Sequence, residues 1–159
     1  VQNRSSMNPL APYTSLNTLD QIKQFLAKKI SPHVQLEVVN PLLESIELVF
    51  KVSFVAGKDY VLYEAMLQQD IIRFLSPWAF ADAADSEIEF GGSICKSVIL
   101  NYIEDLPYVD FLTDFKMNLI TDNTETSKDN IEEAVASTSR SILVSKSKHT
   151  IVEVTDHCI

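Results

Sequence analysis

Glycine is scarce in this chain, and so are cysteine, tryptophan and histidine. The 159 residues include three glycines, two cysteines, one tryptophan and three histidines. Cys95 and Cys158 lie far apart and in no paired spacing, so neither a disulfide framework nor a cysteine-built zinc site is supported. A reducing compartment during folding is the expectation. His33, His149 and His157 do not stand at metal-binding spacing from a second ligand. No metal and no cofactor are expected. Positive charge is also short: 13 Lys and Arg face 22 Asp and Glu, for a net charge of −9. That balance disfavours nucleic acid and anionic membrane surfaces, where cations must neutralise phosphates. Long apolar runs are absent, so membrane insertion by a helix is not expected. The first residues lack the charged, apolar and small-residue regions of a signal peptide, and the start at Val1 is expected of a fragment missing an N-terminal portion.

What remains is an ordinary globular composition, with 46% apolar and 22% charged residues. A chain of this length buries roughly 70% of its unfolded surface without staples. Residues 1–17 are polar, carry Pro9 and Pro12, and read as an arm or linker. Thr18 and Gln21 stand in capping-box spacing, and Leu19, Ile22, Leu26 and Ile30 follow at helical intervals up to Pro32. Two strands are expected next, a short one around Val34, Leu36 and Val38 and a long one over 45–55. In the long one Ile46, Leu48, Phe50, Val52 and Phe54 share a face. Asp59 is positioned to cap a second helix, Tyr60 to Leu75, with Tyr63, Leu67, Ile71 and Phe74 as its stripe and Met66 beside it. Glu87 to Phe90 could form an edge strand. Ser93 is placed to cap a third helix carrying Ile94, Val98, Tyr102 and Ile103. Val109 to Ile120 reads as the clearest strand, with Val109, Phe111, Thr113, Phe115, Met117 and Leu119 on one face. Residues 121–139 read as a polar linker with a helical turn near Ile131 to Val135. Strands at 142–145 and 150–154 flank Lys146 to His149 as a hairpin. The expected class is α+β: a small, mostly antiparallel sheet with helices on one face and a C-terminal β-hairpin on a linker. The corresponding division is 1–17 arm, 18–120 domain, 121–139 linker and 140–159 hairpin or tail.

The stretch from Phe74 to Asp110 concentrates the rare residues: the sole Trp78 and two glycines, Gly91 and Gly92. It reads as a fixed joint between helices. Gly91-Gly92-Ser93 before a helix could offer amides to an anion, but Glu87 and Glu89 precede it, and it lacks a phosphate-loop lysine. A turn plus cap is the simpler reading. Asp82, Asp85, Glu87 and Glu89 offer paired carboxylates, yet general acid–base work needs one of them desolvated, and a polar loop does not provide that. Asp105, Asp110 and Asp114 invite the same reading and the same reply. Trp78 and Phe80 fit buried anchors or an interface hot spot. The candidates for structural or interface roles are Trp78, Phe80, Gly91, Gly92, Tyr108 and Asp110. No catalytic residue is assigned. The alternative is a small α+β enzyme with its site at loop 82–89 and the Gly91-Gly92 turn.

The runs Ile72 to Phe80, Phe90 to Ile94, Val98 to Glu104 and Tyr108 to Phe111 together resemble the C-terminal part of baseplate J-like proteins. These are wedge proteins of contractile phage tails and phage-tail-like injection particles. Leu19 to Val39 is similar to the same family's entry segment. Ser137 to Ser145 and His149 to Ile151 are similar to the tail of the injection-particle branch. The chain departs from the pattern at Cys95, where an aromatic is expected, and in its polar linker. The resemblance implies a structural role, no catalytic residues, and assembly in the cytoplasm into a particle. Implied partners are other baseplate wedge subunits, a homologous wedge protein, and sheath or tube-hub proteins.

Overall fold

The computed structural model describes residues 10–11, 13–31, 33–57, 59–80, 88–121 and 127–154. The elements are α1 (Leu16–Ala27), β1 (Leu42–Phe54), α2 (Tyr60–Leu75), a 3₁₀ turn (Pro77–Ala79), β2 (Ser93–Cys95), α3 (Lys96–Glu104), β3 (Val109–Ile120), β4 (Glu133–Val135), β5 (Ser141–Ser145) and β6 (Thr150–Glu153). The α+β class expected from the sequence holds.

The organising element is β1. Its alternation places Ile46, Leu48, Phe50 and Val52 in the core, each at most 1% exposed, with Phe54 packed at the edge. Burying one such side chain stabilises by about 1.5–3 kcal/mol. Leu67 and Ile71 of α2 and Ile99 and Ile103 of α3 cover this face. In α3, Val98 is exposed instead, because Ile99 and Ile103 are the pair one helical turn apart that points inward. Asp59 caps α2 as expected, accepting from Leu62 N–H at 2.9 Å. The cap of α1 is Ser15 rather than Thr18. The Ser15 hydroxyl accepts from Thr18 N–H, so the helix starts three residues earlier. The cap of α3 falls at Cys95, because Ser93 is drawn into β2 by pairing with β4.

The two long strands are antiparallel neighbours. The single-face alternation expected of β3 fails at two places. The register shifts between Ser53 and Phe54 and again between Val49 and Lys51, each time with an extra residue on β3. Each bulge turns the alternation over. Val109 is buried, Leu112 opposes Val52, and Phe115, Met117 and Leu119 return to the core face. Phe111 and Thr113 therefore face outward, and Phe111 is 43% exposed. Asp114, at the second bulge, has φ +55°, a conformation that aspartate tolerates better than most residues.

The C-terminal strands do not form a hairpin. Both pair in parallel with β1, β5 along Leu42–Ile46 and β6 along Val49–Val52. The main sheet is thus mixed, with β3 on one edge of β1 and β5 and β6 in tandem on the other. The helical turn expected near Ile131 to Val135 is β4, paired with β2 in a second small sheet. The short strand expected at Val34 to Val38 is irregular, with Leu36 and Val38 only half-buried. The Glu87 to Phe90 edge strand is not formed over its described part, since Phe90 already begins the turn and Glu87 lies outside the described residues.

Candidate functional site

Helix α2 stops at Ser76, whose N–H still bonds Ile72 O at 2.9 Å while Pro77 forces the chain into a new turn. That turn presents Trp78 and Phe80, both half-buried. The Arg73 guanidinium lies 4.9 Å from the centre of the Phe80 ring. Trp78 Nε1 is closed off from solvent and has no hydrogen-bond partner, alone in this among the described buried side-chain atoms. A small cleft of about 190 Å³ separates Leu75, Pro77 and Trp78 from Gly92, Ser93 and Ile94, with Ile46, Leu143 and Glu89 completing its wall.

The two glycines have different reasons to be there. Gly91 has φ +67°, donates its N–H to Ser141 O at 2.9 Å, and sits 3.4 Å, measured from an added Cβ, from Ser139 Cα. It is the residue that requires glycine geometry. Gly92 is not left-handed, and the atoms nearest an added Cβ belong to the exposed Glu89 side chain, the first at 2.9 Å. Its carbonyl accepts from Ala136 N–H at 3.0 Å.

Tyr108 and Asp110 belong elsewhere. Tyr108 is 6% exposed, packs its ring at a tilt against Tyr63 at 5.3 Å and Phe54 at 6.1 Å, and donates its hydroxyl to Asp70 Oδ2 at 2.5 Å. Burial, and then the Asp70 carboxylate, push its phenol far above the usual tyrosine range. Asp110 is exposed on β3 beside the first bulge. The joint thus brings Trp78 and Gly92 to one cleft and leaves the other candidates apart.

Asp82, Asp85 and Glu87 lie outside the described residues, and Glu89 is exposed. Cys95 is free and exposed, and His33 is exposed. Among the described residues no group of three or more His, Cys, Asp or Glu could hold a metal ion. No helix among them is long and apolar enough to cross a membrane.

Two polar residues to which the sequence assigns no buried role, Glu44 and His149, are buried. Glu44, 3% exposed, shares the inward face of β1 and accepts from the Ser137 N–H at 3.1 Å and from its hydroxyl. Its parity with Ile46 was a usable signal. His149, 1% exposed, fills the space where β5 ends and β6 begins. Its polar setting, Lys146-Ser147-Lys148-His149, resembles a solvated turn and concealed it. The carboxylate of Glu47 meets Lys146 Nζ at 2.5 Å nearby, and this bond holds Glu47 below the usual range.

The cryo-EM structure of the anti-feeding prophage (AFP) baseplate, 6-fold symmetrised, contains a chain of similar fold. The TM-score is 0.62 at 18% identity, over 86% of this chain. This chain spans 27% of the length of that AFP chain. No curated protein matches. The family model for the baseplate protein PVC11-like matches residues 2–145. That match spans the joint, both long strands and β5, and it bears out the resemblance to baseplate proteins of phage-tail-like contractile particles. The chain therefore belongs to the PVC11-like baseplate protein family.

Proposed function

We propose that this chain is part of a baseplate wedge subunit in a contractile injection particle, and that it acts by protein–protein assembly rather than catalysis. The observation that carries the reading is the family match over residues 2–145. The geometry of α1 supports it. This helix has no buried residue, and Leu16, Ile22 and Phe25 are 82%, 40% and 60% exposed. Isolated helices shorter than about 12–15 residues are marginal in water, so a 12-residue helix gains from having its apolar stripe covered. Its entry is fixed in place: Thr14 N–H donates to Asn40 Oδ1 at 2.8 Å and Asn40 Nδ2 donates back to Thr14 O at 2.9 Å. A positioned but uncovered amphipathic helix suits docking into a neighbouring subunit.

In this reading the partners are other wedge subunits, a homologous wedge protein, or sheath and tube-hub proteins, met in the cytoplasm as the particle assembles. Trp78, Phe80 and Asp110 retain surface to offer such partners. Gly91, Gly92 and Tyr108 shape the fold behind them. Tagged chain, co-expressed with the baseplate proteins encoded beside it, should carry at least one of them through purification in fixed stoichiometry. Ile22→Ser with Phe25→Ser should abolish this while leaving the melting temperature within about 2 °C, since exposed positions contribute little to stability. The reading fails if the wild-type chain associates with none of those proteins under conditions where they assemble with one another.

A further inference from the structure

We propose that His149 is a protonation-controlled latch: its neutral ring closes the break between β5 and β6, and protonation releases β6 from β1. The inference goes beyond the baseplate reading and does not depend on it. Pairing of β5 ends at Ile46–Ser145 and pairing of β6 begins at Val49–Thr150. In between, the Leu48 N–H donates to His149 Nδ1 at 3.1 Å. An amide N–H only donates, so Nδ1 must carry a lone pair and the ring proton must sit on Nε2. Nε2 lies 3.0 Å from Ser145 Oγ, which donates onward to Lys146 O at 2.9 Å. A doubly protonated ring would set N–H against N–H at Leu48, on a side chain only 1% exposed.

The backbone around the ring is clamped from α2. His149 N–H donates to Gln68 Oε1 at 2.9 Å, and Gln68 Nε2 donates to His149 O at 2.8 Å. The charged groups facing this spot are Glu47 of β1, Glu64 of α2, and Lys146 and Lys148 of the connection. Glu47 favours the cation, but its pairing with Lys146 offsets that, and burial dominates. The histidine is pushed down to about 4. The latch is therefore closed above the ordinary histidine range and opens as pH falls toward that value. Release falls on β6, which is largely exposed, rather than on β5, whose Ser145 N–H is held by the buried Ser76 hydroxyl at 2.8 Å.

The test is amide hydrogen exchange by NMR on the whole chain between pH 4.5 and 7.5, corrected for intrinsic exchange. Linkage between these protonation states predicts a rise of roughly 30-fold in the opening equilibrium from pH 7.5 to pH 5. Leu48 and the β6 amides should lose protection first, while Met117 and Leu119 of β3 keep theirs. His149→Asn, which keeps an acceptor near the Nδ1 position without titrating there, should flatten the pH dependence. If that variant does not fold, the wild-type His149 ring titration decides, with an inflection below pH 5 expected. An inflection near 6.5, equal loss in β3 and β6, or an unchanged pH dependence in a folded His149→Asn variant would each overturn the latch.

Discussion

Gly91→Ala probes one backbone requirement with little else disturbed. Gly91 holds φ +67°, and a methyl there would stand 3.4 Å from Ser139 Cα and 3.7 Å from Thr138 O, which is ordinary contact. The cost is therefore conformational, about 1–2 kcal/mol for an L-residue held in the left-handed region. Gly92→Ala is the internal control. Its backbone is not left-handed, and the atom met at 2.9 Å belongs to the exposed side chain of Glu89, which can swing away. The same substitution narrows the unfolded ensemble and so contributes about 0.4–1 kcal/mol in favour of folding. Urea unfolding, followed by Trp78 fluorescence, should place Gly91→Ala below wild type and Gly92→Ala at or slightly above it. In melting temperature the Gly91 loss corresponds to roughly 2–8 °C for a domain of this size. If Gly92→Ala lost as much as Gly91→Ala, or Gly91→Ala were neutral, the assignment of the turn geometry would be refuted.

Two further substitutions test the polar ties. Tyr108→Phe removes the hydroxyl donated to Asp70 and should cost about 1.5 kcal/mol in urea unfolding, because the half-buried Asp70 regains only part of the bond from water. Lys146→Ala removes the partner that holds Glu47 below the usual carboxylate range. A lowered folded pKa gives stability present above the unfolded value of 4.5 and lost as pH falls through the folded value. The variant should thus differ from wild type by at most about 1 kcal/mol at pH 7, both side chains being partly exposed, and the gap should close in acid.

The parts of the fold legible in the sequence were those written in local periodicity. The alternation of Ile46, Leu48, Phe50 and Val52 and the Asp59 cap of α2 needed no distant information. The face of Phe111 was not legible, since the two bulges in β3 are fixed by pairing with β1. Neither was the course of β5 and β6. A four-residue polar connection between two short strands reads as a hairpin turn, whereas parallel pairing with β1 depends on residues about 100 positions away. The joint was found by its rare residues, but rarity did not say which glycine carried the positive φ. Nor did rarity say that the fold separates Tyr108 and Asp110 from the Trp78 cleft. The burial of His149 was not legible because Ser147, Lys148 and Thr150 beside it in sequence are exposed, whereas Leu48 and Ser145 beside it in space are buried.

The most direct measurement is a cryo-EM map of the assembled particle from the same source. Assembly through α1 requires density for this fold within the baseplate, with Ile22 and Phe25 seated against another subunit. A baseplate without this fold, or one in which α1 remains in solvent on every copy, would contradict it.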